Sequence, residues 1–260
     1  MATTFKLTVV HADPVYARQA AAAALAELDR IEGRLSRYAE TSDISRINRL
    51  VRGQSTVVQL DTFDCLRIAL DVQRDTQGAF DVAYASAGPA PQGPRFELDA
   101  EDHAVRVLAD GVRLDLGGVG KGFALDRMAA VLGDWDIESA LLAASTSTLL
   151  ALQAAPGKAG WPIAYGPDSD PHRAKLAGRA LSGSGTALKG SHIIDPRAGR
   201  PVQDRFRAWA GAPTAGVADA LSTAFMVMSE EEIREYCKRN AEVSAFLLKS
   251  PEDKVQAIGP

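Results

Sequence analysis

Cysteine is scarce in this chain: Cys65 and Cys237 are the only two among 260 residues. Two cysteines are too few for a disulfide framework or for a metal cluster built from cysteine ligands. Both lie in apolar patterns that are typical of helices, so we expect them to be buried, reduced thiols.

The chain also lacks a long apolar run and a large excess of either charge. Its most apolar stretch, residues 139–155, is short and interrupted by Ser and Thr, so no transmembrane span is predicted. A formal net charge of -4 gives no reason to expect a nucleic-acid partner. Residues 1–14 have neither the basic start nor the apolar core of a signal peptide, and we therefore expect a cytoplasmic protein.

The composition is that of a globular protein. It is 46% hydrophobic and 24% charged, which provides apolar sequence for a substantial core and argues against disorder. Neither an internal repeat nor a low-complexity tract is visible. We predict a single domain over residues 1–260, with room for two lobes.

The first half of the sequence predicts one strand and two long helices. Phe5, Leu7 and Val9 alternate with polar residues, as in a strand. Asp13-Pro14 marks the start of a long helix, and a second helix at 61–80 follows a polar, loop-like segment at 40–50. The positions in register along the two helices are Leu25, Leu28, Ile31 and Leu35 in the first, and Leu66, Ala69, Leu70 and Gln73 in the second.

The second half alternates short strands before two helices and a closing hairpin. Residues 104–116 are expected to form a hairpin that turns at Asp110-Gly111. This mixed order is not a regular βαβ repeat, so the predicted fold class is α+β, with mixed sheets and packed helices. The further elements expected are strands at 140–144, 162–166, 179–185, 191–196 and 207–213, helices at 217–228 and 229–240, and a hairpin near 250–254.

Residues 115–126, DLGGVGKGFALD, place four glycines and Lys121 between two aspartates. One interpretation is a tight turn between a strand and a helix, in which the glycines serve only the backbone. The other is an anion site, where amides at a helix N-terminus and the Lys121 cation would bind phosphate. The stretch is not a Walker P-loop, because Asp115 and Gly122 stand where that motif needs Gly and Ser or Thr.

Asp219, Ser222 and Thr223 fall at positions i, i+3 and i+4 of the helix predicted at 217–228. That spacing places three oxygen side chains on one helix face. Mg²⁺ takes oxygen ligands, usually one carboxylate with carbonyls and waters. The structural alternative has Asp219 near the positive end of the helix dipole and Thr223 bonding back to its own helix.

Of the four histidines, His192 is the best candidate for chemistry. An unperturbed imidazole has a pKa near ~6.5, so His192 could be a general base at neutral pH. If residues 191–194 form a strand, His192 and Asp195 lie on opposite faces, and Asp195-Pro196 predicts a turn leading to Gly199. A histidine packed beside isoleucines is the structural alternative.

Segments along nearly the whole chain resemble, in order, the motifs of the ApbE-like FAD:protein FMN transferases. Several matches in sequence order are far more specific than any one of them. The resemblance implies an ApbE-like, T-fold-related α+β architecture. The segments are MATTF at 1–5, SRYAETSDISRINR at 36–49, GAFD at 78–81, DLGGVGKGFALD at 115–126, GWPIAYGPD at 160–168, SHIIDPRAGRPV at 191–202 and ADALSTAFMV at 218–227.

Members of this family move FMN from FAD onto a Thr or Ser hydroxyl of an acceptor protein and release AMP, using Mg²⁺. The resemblance therefore implies FAD as substrate, Mg²⁺ as the metal and an acceptor flavoprotein as partner. By similarity, His192 would take the proton of the acceptor hydroxyl. The metal ligands implied are Gly120, through its carbonyl, Asp219, Thr223 and the position of Ser222. The residues that would line the FAD site are Met1, Tyr38, Ala79, Phe80, Asp81, Asp115, Gly118, Lys121 and Ile193.

Two departures from the family motifs bear on the predicted site. Ser145, Thr146 and Ser147 stand where the family usually carries Gly-Gly-Asp, so FAD affinity or turnover is expected to be altered. Gly183 stands where Thr usually precedes the Ser-Gly pair that Ser184 begins. Two other functions stay open: an FAD pyrophosphatase with water as nucleophile, and a non-catalytic flavin-binding protein.

The resemblance also gives an expectation for one variant. Because it places Asp219 at the metal rather than in the core, Asp219→Ala should abolish metal-dependent turnover while leaving the fold nearly unchanged.

Overall fold

A seven-stranded sheet organises the fold. The computed structural model describes residues 3–87, 93–167, 169–186, 193–202 and 205–258. Every strand of this sheet runs antiparallel to its neighbours. In order across the sheet the strands are β1 Phe5–Val10, β5 Ser139–Ala144, β6 Thr148–Ala151, β9 Arg179–Gly185, β12 Arg207–Ala212, β13 Ser244–Leu248 and β14 Gln256–Ile258.

Helices and three small sheets complete the described part of the chain. The helices are α1 Pro14–Leu35, α2 Asp43–Ile47, α3 Leu60–Asp75, α4 Gly120–Asp134, α5 Ala215–Val227 and α6 Glu230–Arg239. The small sheets are β2 Ser55–Val57 with β4 Ala104–Val107 and β3 Phe96–Asp99, β7 Trp161–Tyr165 with β8 His172–Leu176, and β10 Ile194–Asp195 with β11 Arg200–Pro201. These elements confirm the predicted α+β class.

The two faces of the large sheet bury side chains in two different cores. Successive residues of a strand point to opposite faces. Leu142 and Leu150 therefore join the larger core, which the helices share, whereas Leu141 and Leu149 pack toward the β7–β8 hairpin and its smaller core.

Helix α1 confirms the long helix that was predicted from Asp13-Pro14. The Asp13 carboxylate accepts hydrogen bonds from the first-turn amides, 2.8 Å from Val15 and 3.1 Å from Tyr16. One inward position was wrong, because Leu25 is 42% exposed. It lies one residue, about 100° of helix rotation, beyond the row that faces the core. That row is Ala20, Ala24, Leu28, Ile31 and Leu35.

The loop predicted at residues 40–50 was wrong, since this segment contains α2. Ser42 caps the helix by accepting a 3.0 Å hydrogen bond from the Ser45 amide. Ile44 and Ile47 are completely buried. A polar segment thus folds into a helical turn because two spaced isoleucines enter the core.

The hairpin predicted at residues 104–116 was wrong, because its first strand pairs with other strands than the one predicted. The turn is present, with Gly111 at φ +66°, but β4 pairs with β3 and β2 instead. Residues 112–116 form no strand. The Leu114 amide donates to the Asn48 side chain at 2.7 Å. A side chain thus accepts the hydrogen bond that a neighbouring strand would have accepted in a hairpin.

Most of the other predicted elements are confirmed. Strands β5, β7, β9 and β12, helices α5 and α6, and the closing β13–β14 hairpin lie where the patterns placed them. Helix α3 is also present, but it ends at Asp75 and not at residue 80 as predicted. Of the strand expected at 191–196, the described residues begin at Ile193 and give only β10. Cys65 and Cys237 are free and buried, as predicted. In the described ranges, no helix has the length and apolar character needed to cross a membrane.

Helices α4 and α5 are in close backbone contact at Gly122. A Cβ atom placed on Gly122 would lie 2.0 Å from the Ala215 carbonyl oxygen and 2.7 Å from the Gly216 nitrogen. Asp126, one turn further along α4, closes the same crossing. Its carboxylate accepts hydrogen bonds from the amides of Ala215 and Gly216, at 2.8 and 2.7 Å, at the N-terminus of α5.

Burial changes the ionisation of Asp126. It raises the pKa of this carboxyl from 3.8 to about 6, although the amides of Ala215 and Gly216 act in the opposite direction. The folded protein therefore binds a proton at Asp126 more readily than the unfolded chain does between these two pH values.

Gly122→Ala is expected to lower the free energy of unfolding by about 1–3 kcal/mol, because the added methyl group overlaps backbone atoms of α5. Urea unfolding measures the change. Gly133→Ala is the matched control in the same helix, since nothing lies within 4 Å of its Cβ position. This control should be stabilised by about 0.5–1 kcal/mol through the better helix propensity of alanine. Equal effects of the two substitutions would contradict the close contact.

Asp126→Asn is expected to remove one pH-dependent contribution to stability. With a folded pKa of about 6, the wild-type contribution is fully present below the unfolded value of 3.8 and is lost as the pH rises through about 6. From pH 4 to pH 7 the wild type should therefore lose about 2–3 kcal/mol relative to the variant. Urea unfolding of both proteins across this range tests the expectation, and a constant difference would refute it.

Candidate active site

Among the predicted site residues that the structure describes, Asp219 is the most extensively bonded. It lies in α5 with 2% of its surface exposed. Its Oδ1 accepts from the hydroxyls of Thr148 at 3.2 Å and Ser182 at 3.1 Å. The Lys121 ammonium lies 2.9 Å from Oδ1 and 3.1 Å from Oδ2, and the Gly122 amide donates to Oδ2 at 3.1 Å. The carboxylate is therefore held between the sheet and α4.

A cluster of hydroxyls lies beside Asp219. The Ser184 Oγ is 2.9 Å from the Ser222 Oγ and 3.1 Å from the Thr223 Oγ1. Ser222 also donates to the backbone carbonyl of Asp219 at 2.9 Å, so part of the structural alternative, back-bonding within the helix, is present as well. The structure thus brings together the three α5 residues predicted as metal ligands.

The oxygen atoms of this cluster fit a hard cation. No group of three His, Cys, Asp or Glu side chains among the described residues could hold a metal ion. What the site offers is one carboxylate with neighbouring hydroxyls, and Mg²⁺ commonly binds one or two carboxylates and completes its shell with water and substrate phosphates. Gly120, whose carbonyl the resemblance implies as a further ligand, is buried at the first position of α4.

The glycines of residues 115–126 permit close approach between parts of the fold. A Cβ atom on Gly118 would lie 3.0 Å from the Phe80 ring and 3.2 Å from the Thr223 hydroxyl. Gly118 therefore allows the segment around Phe80 to lie against the hydroxyl cluster. Gly122 allows the close contact at the helix crossing in the same way. Close packing therefore accounts for two of the four glycines, and neither interpretation of the stretch had included it.

The anion-site interpretation is modified by the bonds at the start of α4. The Gly122 amide donates to Asp219, and the Phe123 amide donates to the Val119 carbonyl at 3.0 Å. Two of the amides after Gly120 therefore already have protein acceptors. The remaining group suited to an anion is Lys121, whose side chain is 21% exposed.

Asp115 and Tyr38, both predicted to line the FAD site, are linked through Arg37. The Asp115 carboxylate accepts from the Gly117 amide at 2.9 Å and lies 3.1 Å from the Arg37 guanidinium. That guanidinium stacks over the Tyr38 ring, 4.9 Å from its centroid, and donates to the Tyr38 hydroxyl at 2.7 Å. Since Tyr38 is 81% exposed, this arrangement presents an aromatic face to solvent.

The remaining predicted residues of the FAD site have other environments. Ala79 and Phe80 are buried, and Ile193 is buried with its carbonyl accepting from the Val202 amide at 3.0 Å. Asp81 accepts from the Ala83 amide at 2.7 Å. Burial raises the pKa of Asp81, and this effect exceeds the opposing ones of the Ala83 amide and the Arg95 charge.

Two predicted site residues, Met1 and His192, lie outside the described residues. Their roles stay predictions from the resemblance. The turn expected after His192 is confirmed: the Gly199 amide donates to the Asp195 carbonyl at 2.8 Å, with Gly199 at φ +65°.

Sequence reasoning missed the hydroxyls that the sheet contributes to the site. Thr148 and Ser182 are completely buried polar residues in strands β6 and β9. The sequence RALSGSG gave a signal for Ser182, because a strand places Ser182 and Ser184 on the same face. Arg37, inside a matched segment, was also missed.

The two departures from the family motifs have a physical account. Ser145 adopts φ +54°, so a residue with a side chain occupies a conformation that glycine adopts without strain, at a cost on the order of 1 kcal/mol. Gly183 lies against the Trp209 indole, and a Cβ atom there would be 2.6 Å from the ring. Threonine at position 183 is therefore incompatible with this position of Trp209.

The expectation that Asp219→Ala leaves the fold nearly unchanged conflicts with the burial of Asp219 and its four donor groups. The variant should unfold about 1–3 kcal/mol more easily, because Thr148, Ser182 and Lys121 would lose a buried acceptor. Urea unfolding gives the value. Asp219→Asn, which retains one oxygen acceptor, is the control and should lose less. Wild-type stability of Asp219→Ala would mean that the donors find other partners.

Comparison with known proteins identifies the relatives of this chain. The sequence profile of the ApbE family matches residues 1–247. A relative from Klebsiella pneumoniae (strain 342), named FAD:protein FMN transferase, is 23% identical over 293 aligned positions, which cover 97% of this chain and 83% of the relative.

Solved structures share the fold. The flavin transferase ApbE from Vibrio cholerae superposes with a TM-score of 0.84 at 20% identity, covering 99% of this chain and 94% of that one. The ApbE protein from Thermotoga maritima also gives 0.84, at 24% identity, with 98% and 93% covered. The predicted architecture is confirmed by these likenesses, and because the family profile spans almost the whole sequence, this chain belongs to the ApbE family.

Proposed function

We propose that this chain transfers FMN from FAD to a Thr or Ser hydroxyl of an acceptor protein, releases AMP and requires Mg²⁺. The observation that carries the proposal is the contact of the Asp219 carboxylate with Lys121 and α4, beside the hydroxyls of Ser222 and Thr223. This site would offer oxygen ligands to a cation and a positively charged group to a phosphate.

The prediction of an enzyme has the most direct support. The chain belongs to the ApbE family, and its relatives carry the name FAD:protein FMN transferase. This chain is accordingly an enzyme of the flavin transferase class, with FAD as its substrate. The metal, the acceptor residue and the released nucleotide are the finer parts of the proposal.

The metal would be held by Asp219 and Thr223, with the carbonyl of Gly120 and the position of Ser222 completing the protein ligands. When bound, Mg²⁺ neutralises charge on phosphate oxygens and so favours phosphoryl transfer. The fit rests on the donor set, one carboxylate with adjacent hydroxyls, which matches the preference of Mg²⁺ for oxygen.

Lys121 would bind the pyrophosphate of FAD. Its ammonium contacts Asp219 and, at 2.9 Å, the Gly117 carbonyl, so a flexible cation lies at the border of the site with part of its surface exposed. Phosphoryl transfer needs positively charged groups close to the non-bridging oxygens and to the leaving group, where negative charge is concentrated. Lys121 would supply part of that charge.

His192 would act on the nucleophile. The acceptor hydroxyl loses its proton to the imidazole as its oxygen forms a bond to the phosphorus of the FMN half. The bond from that phosphorus to the bridging oxygen breaks, and the bridging oxygen leaves with AMP. Near neutral pH an unperturbed imidazole can accept that proton.

The flavin would contact apolar and aromatic surfaces from several matched segments. Phe80 packs against Gly118 beside the hydroxyl cluster, and Tyr38 presents an exposed ring stacked with Arg37. Aromatic and apolar walls are what a flavin ring system requires from a protein. The other residues proposed to line the FAD site are Met1, Ala79, Asp81, Asp115 and Ile193.

The proposal is tested by incubating the protein with FAD and Mg²⁺, with and without a library of Thr- and Ser-containing peptides. The expected result is covalent flavin on peptides together with an equal amount of AMP, measured by fluorescence and chromatography. His192→Ala should slow the transfer by about 100-fold or more and leave the dissociation constant of FAD nearly unchanged.

Three outcomes would contradict this proposal. Free FMN with AMP, and no labelled peptide, would indicate a pyrophosphatase that uses water. FAD binding without products would indicate a non-catalytic flavin-binding protein. A loss of FAD affinity in His192→Ala, with an unchanged transfer rate, would place His192 in binding rather than in proton transfer.

A further inference from the structure

Two buried hydroxyls connect the central sheet to Asp219. Thr148 on β6 and Ser182 on β9 are both 0% exposed, and they face each other directly in the register of the two strands. Their oxygens lie 2.9 Å apart, and both lie within hydrogen-bonding distance of the Asp219 Oδ1. These contacts do not arise from local chain geometry, because Thr148 and Ser182 are 71 and 37 residues from Asp219 in the sequence.

Counting protons restricts how these three groups can bond. A carboxylate only accepts, and each hydroxyl has one proton to donate. Thr148 and Ser182 therefore have two protons for three contacts. Either both hydroxyls donate to Asp219, or one donates to the other, which then donates to the carboxylate. In both arrangements at least one hydroxyl proton is directed at Oδ1.

The remaining donors to the carboxylate come from a helix. Lys121 and the Gly122 amide belong to α4 and together bond both oxygens. Asp219 itself extends from α5. Its side chain is thus fixed in direction by two hydroxyls from the sheet and two nitrogen donors from a different helix.

We propose that Thr148 and Ser182 are positioning residues that orient the Asp219 carboxylate for metal binding. This inference rests on the proposed function, in which Asp219 is a metal ligand. The two residues act only through Asp219. Partners that hydrogen-bond a metal-ligating carboxylate fix its orientation and set its affinity for the ion.

The altered segment at 145–147 is compatible with this position of Thr148. Thr148 follows this segment immediately, and the segment is fastened at both ends. The Ser145 amide donates to the Thr4 carbonyl at 2.7 Å, and the Gly183 amide donates to the Ser147 carbonyl at 2.7 Å. The turn therefore still delivers Thr148 to its position opposite Ser182.

The alternative is that the hydroxyls only satisfy a buried carboxylate and stabilise the fold. Stability alone does not separate the two roles, because both predict that removing a hydroxyl is destabilising. Metal affinity separates them, since a merely structural hydroxyl should leave it unchanged once the variant is folded.

The experiment is a Mn²⁺ titration of the full chain, followed by electron paramagnetic resonance, with and without FAD. Thr148→Val keeps the shape of the side chain and removes the hydroxyl, and we expect its dissociation constant for Mn²⁺ to rise about 10-fold or more. Thr148→Ser retains the hydroxyl and should restore nearly wild-type affinity. Ser182→Ala should weaken binding in the same direction.

Thr62→Val is the matched control. The Thr62 hydroxyl donates at 2.7 Å to the carboxylate of Asp43, and both residues are buried, so the same kind of bond is removed away from the site. This control should lose stability and keep wild-type Mn²⁺ affinity. Wild-type affinity in Thr148→Val, or equal weakening in Thr62→Val, would overturn the inference.

A failure of the proposed function is recognised separately. Wild-type protein that binds Mn²⁺ but forms no AMP from FAD in the presence of the Thr- and Ser-containing peptides would overturn the proposed reaction, while the comparison of Thr148→Val with Thr148→Ser would still decide the positioning role. Wild-type protein that binds no Mn²⁺, with or without FAD, would overturn the inference itself.

Discussion

The burial of a single carboxylate constrains much of this fold. Asp219 is almost inaccessible to water, so its negative charge must be balanced and its oxygens must accept hydrogen bonds within the protein. Lys121 supplies the charge, and strands β6 and β9 and the start of α4 supply the donors. These elements can meet only if the sheet and the two helices pack in one particular arrangement.

The glycine-rich stretch makes that arrangement sterically possible. At Gly122 the backbones of α4 and α5 are too close for any side chain, and Asp126 fastens the same crossing by bonding the first amides of α5. One stretch of sequence therefore sets the distance between the helix that carries Lys121 and the helix that carries Asp219. The packing distance between α4 and α5 therefore also determines the geometry of the site.

The chemistry follows from what this crossing brings together. They are a carboxylate, a cluster of hydroxyls and a partly exposed ammonium group. In the proposed function, the ammonium group and a cation bound at the carboxylate would neutralise phosphate charge. Positions 145–147 and Gly183 depart from the family motifs. Ser145 adopts a positive φ, and Gly183 accommodates the Trp209 indole. The departures change the surroundings of the site without removing the groups that bond Asp219.

The sequence by itself determined the α+β class, most of the helices and strands, and the grouping of Asp219, Ser222 and Thr223 on one face of a helix. These features depend on periodicity and capping, which are properties of neighbouring residues. Sequence reasoning placed Leu25 in the core row, although it lies one position outside that row, and it predicted a loop where α2 forms. Contacts with the core, and not local polarity, decide the burial of a helix position and the folding of a short helix.

Only the tertiary structure decided which groups hold Asp219. Lys121 and Asp219 are 98 residues apart, and Thr148 and Asp219 are 71 apart. No local pattern encodes a bond across such a separation, because it exists only once the strands have paired in register and the helices have packed on the sheet. The residue types were visible in the sequence, and their partners were fixed by packing.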